Sequence, residues 1–255
     1  MEPWEGAIEE FLKPWRTKKE VVGALLCGSY AVGTETSGSD IDIHLILSAK
    51  TKWRERGNKV VKGFLIEYFA NPVPQLELNR REDMAKGRKI DARMFTTGRI
   101  LFDKTGAVRK LVEGAKKDLR KPLKRQSAAS TGAMKYALWD AFDGVEDLFS
   151  TQNPDFRKCA FALVEQAIES YAKYLRVEIP GSAKRYRYLR DPIFVHNYQI
   201  KMFPDKKFAN LYVACVKTKT DAALLSSVRT LLIHTQARMG GFNIDGWKLR
   251  TAVKS

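Results

Sequence analysis

The stretch Leu26–Leu47, LCGSYAVGTETSGSDIDIHLIL, constrains this chain more than any other. The hydrophobic run Val21–Cys27 has the length and content of a buried strand, and the Gly28-Ser29 pair that follows at once is a small-residue turn. Further on, Asp40 and Asp42 alternate with Ile41, Ile43, Leu45 and Leu47, the period of two that marks another strand. Residues i and i+2 of a strand share a face about 7 Å apart, so the two carboxylates project side by side while the isoleucines pack behind. Two anions that close repel each other, and a hard divalent cation with oxygen ligands, magnesium above all, offsets the repulsion most simply. The backbone N–H groups of Gly28 and Ser29, with the Ser29 hydroxyl, stand where a helix begins at Tyr30 and can receive phosphate oxygens. Together the two halves describe a site for a metal-bound nucleoside triphosphate.

The string G-S-Y-A-x-G followed by S-D-I-D-I, Gly28 to Ile43, resembles the signature of the DNA polymerase beta-type nucleotidyltransferase superfamily. In layout the chain is similar to the members that nucleotidylate aminoglycoside and lincosamide antibiotics. The resemblance implies a mixed sheet with two neighbouring aspartates on one strand and a third carboxylate on a later one. It also implies transfer of a nucleotide, AMP from ATP by default, out of a metal-bound triphosphate, with two Mg2+ ions serving the reaction. One departure is visible: Val32 stands where many relatives carry arginine.

Glu67 is the candidate for the third ligand. The segment VVKGFLIEYFANP, starting at Val60, is dense in β-branched and aromatic residues and reads as one strand ending at Asn71-Pro72. Glu67 lies within it among Leu65, Ile66, Tyr68 and Phe69, where an ionised carboxylate is costly unless paired or bound to metal. Asp91, in the charged RKIDAR, and Asp103, which suits a cap on the turn into Lys104-Thr105-Gly106, are the rivals. His44 shares the parity of the two aspartates and reads as a core histidine.

Length and pattern predict an α+β chain in two parts. Residues 1–106 form the nucleotidyltransferase domain: a helix through Ile8, Phe11 and Leu12 ending near Pro14, the strands above, a polar loop or hairpin over Lys52–Lys59, a helix over Pro74–Met84 and a short strand over Gly98–Phe102. Residues 107–255 form a helical bundle that selects the acceptor, with helices over Ala107–Leu119, Ala128–Phe149, Phe156–Leu175, Pro192–Phe203 and Lys206–Met239. The last is broken near Thr218–Asp221. Asp155 and Asp221 are expected as helix caps, and Gly240-Gly241 as the final stop.

Net charge is +16, from 45 basic against 29 acidic residues, which draws in triphosphate, an anionic acceptor or nucleic acid and repels a polycationic aminoglycoside at long range. No run is long enough to cross a bilayer and the N-terminus lacks the pattern of a secretory leader, so a cytoplasmic setting is expected. Cys27, Cys159 and Cys215 are odd in number and embedded in apolar sequence, as reduced core thiols are. The sequence leaves a homo-oligomer open.

On the helical side, Tyr136, Asp140, Asp143 and Asp147 make an acidic stripe that could hold a cationic acceptor or supply a base, and Glu165 and Glu169 are equal candidates for that base. A solvated, ion-paired face reads the same way. KRYRYLR, Lys184–Arg190, interleaves cations and aromatics as strand-stacking surfaces do, and as a surface helix with snorkelling arginines does. Arg229 and His234 form an R-x4-H pair resembling that of HEPN-type helical RNases. The reading is nucleotidyl transfer to a hydroxyl of a small molecule, with an antibiotic as the example the resemblance implies. The alternatives are nucleotidylation of protein or RNA, and a non-catalytic antitoxin or RNA-binding module of the same fold.

Overall fold

A computed structural model describes residues 2–250. In chain order the elements are α1 (Pro3–Thr17), β1 (Val21–Cys27), α2 (Gly28–Val32), β2 (Ile41–Leu47), β3 (Glu55–Val61), β4 (Phe64–Pro72), α3 (Val73–Ala85), α4 (Ile90–Thr97) and β5 (Arg99–Asp103). Helices α5 (Ala107–Arg120), α6 (Ala128–Ser150), α7 (Phe156–Leu175), α8 (Ser182–Arg190), α9 (Pro192–Asn197), α10 (Lys206–Lys217) and α11 (Asp221–Arg238) follow. The α+β expectation holds: a five-stranded mixed sheet at the N-terminal end, then helices.

The sheet runs β3-β4-β2-β1-β5. β2 and β4 are parallel, and the other neighbours are antiparallel. Alternation along β2 splits its side chains between two cores. Ile41, Ile43, Leu45 and Leu47 face α1, whose Ile8, Phe11, Leu12 and Trp15 are buried against them. Each such side chain contributes roughly 2 kcal/mol of apolar burial. Ile46 faces the other way, into a core with Leu25, Cys27, Phe95, Val108 and Leu111. Asp42 and His44 share that face, because their parity is that of Ile46.

Several boundaries differ from expectation for local physical reasons. The strand predicted from Val60 is two strands, and most of the supposed loop Lys52–Lys59 is β3. Lys62 (φ 49°) and Gly63 (φ 83°) both lie at positive φ, the geometry of a tight hairpin turn between Val61 and Phe64. α1 continues through Pro14 to Thr17, since that proline sits on the exposed side of the last turn, where the lost hydrogen bond faces water. α4, not foreseen in the charged stretch around Asp91, buries Ala92 and Phe95. α9 ends at Asn197, short of the expected Phe203. Thr220, not Asp221, caps α11 by accepting from the Ala223 N–H, and Asp155 occupies its cap position without a side-chain bond.

By internal contacts the chain forms two units. One comprises the chain to Pro122 together with Ile193–Ile200; the other comprises Leu123–Pro192 and the chain from Lys201 on. The first extends past the residue 106 read from sequence because α5 buries Val108, Leu111 and Ala115 in the sheet's second core. In the second unit α7 is the most buried helix, with α6, α10 and α11 packed on it. Among the described residues no helix is long and apolar enough to cross a membrane.

Candidate active site

Cross-strand register assembles the site. Asp42 on β2 stands beside Glu67 on parallel β4, and Glu67 stands beside Asn58 on β3. Two residues along the same face, His44, Phe69 and Arg56 form the next row. Asp40, just before β2, completes the group: carboxylate oxygens of Asp40, Asp42 and Glu67 lie within 4.8 Å of one another, and all three residues are half-buried. Among the described residues no other group of His, Cys, Asp or Glu meets that condition. Three carboxylates with no nitrogen or sulfur donor form a hard oxygen set, which fits magnesium or manganese and does not suit a soft metal.

Gly28 ends the approach from the other side. Its φ is +67°, and a Cβ built on it would fall 1.9 Å from Asp42 Oδ2, so only glycine lets the turn pass beneath that carboxylate. Ser29 follows in α2, half-buried. α2 is held from behind: Tyr30 packs on Trp4 with ring centroids 5.3 Å apart, and the Val32 carbonyl accepts from Asn197 Nδ2 at 3.1 Å. Thr34 Oγ1 and Tyr198 OH lie 3.3 Å apart. Val32 thus serves through its backbone, with a residue more than 160 positions away as partner. Burial, and then the charge of Asp42, push the Cys27 thiol well above its usual value, so it stays a protonated core group.

Arg56 lies in the segment expected as a polar loop or hairpin, and sequence reasoning missed it. Its Nη2 and Nε donate to the same oxygen of Glu67, Oε1, at 2.6 and 3.1 Å, and its guanidinium lies 4.9 Å from the Phe69 ring centre. The available signal was the Lys62-Gly63 turn: counting outward from it places Arg56 opposite Phe69. His44 stacks on the same Phe69 at 5.0 Å; burial lowers its pKa to about 4, so it is a neutral core imidazole, as expected.

The remaining candidates have other surroundings. Asp103, expected to cap the turn into Lys104-Thr105-Gly106, accepts instead from the Arg109 N–H in the first turn of α5. Asp91 lies beside Asp83, whose Oδ2 accepts the Asp91 N–H. Asp140 and Asp143 are exposed on α6, where Asp140 accepts from Tyr136 OH at 3.3 Å. Glu165 takes the Arg185 guanidinium on one oxygen and the Tyr212 hydroxyl on the other, and Glu169 takes Arg185 Nη2 at 2.7 Å. That makes Arg185, 6% exposed, a buried tie between α7 and α8, and Tyr188 of the same KRYRYLR segment is wholly buried. Arg229 pairs with Glu146 while His234 hydrogen-bonds Asp205, so the R-x4-H residues face different partners.

Three carboxylates that could hold a metal ion thus converge on a mixed sheet, bordered by a glycine turn. Residues 8–94 match the model of the family described as nucleotidyltransferase domain. This part of the chain is a nucleotidyltransferase domain of the DNA polymerase beta-type superfamily. Among solved structures the chain is similar to a nucleotidyltransferase-like protein from Exiguobacterium sibiricum, with 12% identity, 92% of this chain and 78% of that chain covered, and a TM-score of 0.43. No curated protein matches the chain.

Proposed function

We propose that this chain transfers a nucleoside monophosphate, AMP from ATP in the default case, to an acceptor hydroxyl, and that Asp40, Asp42 and Glu67 hold the magnesium ions that serve the reaction. The observation that carries the reading is the convergence of those three carboxylates within 4.8 Å inside a nucleotidyltransferase domain. Bound there as a pair, magnesium ions would neutralise the triphosphate and stabilise the charge on entering and leaving oxygens. Gly28 and Ser29 offer backbone N–H groups and a hydroxyl to the phosphates, and Gly28 leaves Asp42 the space it needs. The acceptor oxygen bonds to the α-phosphorus, the bond from that phosphorus to the β-phosphate oxygen breaks, pyrophosphate leaves, and the hydroxyl proton passes to solvent. The resemblance supports a small alcohol of antibiotic type as acceptor.

The test is incubation with ATP labelled at either the α- or γ-phosphate, Mg2+, and a panel of hydroxylated antibiotics and oligonucleotides, beside a Mn2+ titration. The α-label is expected in product and the γ-label in pyrophosphate, and Asp42→Asn should abolish both transfer and cation binding with the fold intact. γ-Label in product, or Mn2+ binding unchanged in Asp42→Asn, overturns the reading.

A further inference from the structure

Helix α2 carries Gly28 and Ser29 yet buries none of its five residues. A helix that short has no stability of its own, so its surroundings must fix its position. It moves as one turn, because the Ser29 carbonyl accepts the N–H groups of Gly33 and Thr34, the latter at 3.0 Å. Besides the packing of Tyr30 on Trp4, two contacts from Ile193–Ile200 hold it, and that segment is the part of the helical half that belongs to the sheet unit. Asn197 Nδ2 donates at 3.1 Å to the Val32 carbonyl, one of the last carbonyls of α2, which lack partners inside the helix. The Tyr198 hydroxyl lies 3.3 Å from Thr34 Oγ1.

The dependence runs from α2 to this segment and not the reverse. α9 buries Phe194 and Val195, and Ile200 after them is buried too. It closes in a Schellman turn: Gln199 lies at φ 51°, its N–H donates to the His196 carbonyl, and the Ile200 N–H donates to the Val195 carbonyl. Arg93 of α4 then donates to the Tyr198 and Gln199 carbonyls at 3.1 and 2.5 Å. α9 is therefore fixed without α2, and α2 leans on it. The carboxylates do not share that dependence. Asp42 and Glu67 are set by the pairing of β2 with β4. The loop leading to Asp40 closes on itself, with the Thr36 N–H on Ser39 Oγ and the Ser39 N–H on the Thr36 carbonyl, both at 2.9 Å.

We infer that Asn197 and Tyr198 are positioning residues for the nucleotide: through Val32 and Thr34 they hold the Gly28-Ser29 turn where it meets the triphosphate, and they leave the cation site to the strands. The inference rests on the nucleotidyl-transfer reading and adds to it a contribution from the helical half of the chain.

Calorimetric titration with Mn2+ alone, and with α,β-methylene ATP in excess Mn2+, separates the two effects without turnover. The wild-type chain is expected to bind both. Asn197→Leu, which removes the donor without adding charge, should weaken analogue binding about fivefold, the worth of an ordinary hydrogen bond, and change Mn2+ affinity less than about twofold. Asn197→Gln, which keeps an amide donor, should bind the analogue more tightly than Asn197→Leu. If Asn197→Leu fails to fold, Tyr198→Phe carries the same test, since its ring keeps its place 4.5 Å from that of Phe194 and only the contact with Thr34 goes. Thr235→Val, which removes a buried hydroxyl from α11, should lower the melting temperature and leave both affinities within about twofold. Analogue binding that is unchanged in the Asn197 and Tyr198 variants, or weakened no more than Mn2+ binding, overturns the inference and spares nucleotidyl transfer. Failure of the wild-type chain to bind Mn2+ or the analogue overturns both.

Discussion

Arg56 grips Glu67 through one oxygen only. Two nitrogens of the guanidinium converge on Oε1, at 2.6 and 3.1 Å, while Glu67 still contributes to the cluster with Asp40 and Asp42. The arginine is largely exposed and sits on the edge strand, so it can leave without unpacking the core. It therefore places a positive charge beside the carboxylate group, on Glu67.

Replacing Arg56 with glutamine should accordingly tighten divalent-cation binding. A unit positive charge next to a divalent site, discounted for solvent screening, is worth about 1 kcal/mol, or roughly fivefold in Mn2+ affinity. Calorimetric Mn2+ titration checks this, and weaker binding in the variant would mean that Arg56 mainly orients Glu67.

Gly28→Ala puts a methyl group where Asp42 Oδ2 lies and forces a side chain onto φ +67°. The strained backbone alone costs about 1–3 kcal/mol. Thermal unfolding should register that loss, and the displaced Asp42 should lower Mn2+ affinity at least as much as Asp42→Asn. Normal cation binding in a folded Gly28→Ala protein would separate the turn from the carboxylates.

Acid stability of the helical unit should depend on Asp205. Burial raises its pKa, but the Phe208 N–H, His234 and Tyr171 donate to the carboxylate and outweigh burial, holding it at about 2. The folded value is depressed, so the unfolded chain binds the proton first as pH falls. The stabilisation is complete above about pH 4 and is lost from there down through about pH 2, a difference of roughly 2 kcal/mol. Asp205→Asn should flatten that part of the unfolding profile measured by circular dichroism and lower stability at neutral pH.

Arg185→Met should destabilise the helical unit by about 3 kcal/mol, since it leaves Glu165 and Glu169 without the cation between them. Glu165→Gln should likewise lower the melting temperature and leave the pH profile of nucleotidyl transfer unmoved. A shifted profile would restore Glu165 as a base. Unfolding curves and single-turnover rates across pH distinguish the two.

What could be read from the amino acids alone was whatever short range dictates. Period two across Asp40–Leu47 put both aspartates on one side of a strand, and a hydrophobic run ending in Gly28-Ser29 made a strand and a turn. Glu67 stood out because an acid within an apolar strand needs a partner. These are nearest-neighbour effects, carried by a few dozen residues. Tertiary structure alone decided which partners they meet. Parallel pairing of β2 with β4 set Asp42 beside Glu67, and the Lys62-Gly63 turn folded β3 back so that Arg56 reached the same carboxylate. The Val32 carbonyl found Asn197, and Glu165 found Arg185 and Tyr212, an ion pair and hydrogen bond that occupy both oxygens of a residue the sequence left open for catalysis. Parallel pairing and helix docking depend on contacts far apart in the chain, which no local spacing encodes, whereas the register of β3 on β4 follows from the turn between them.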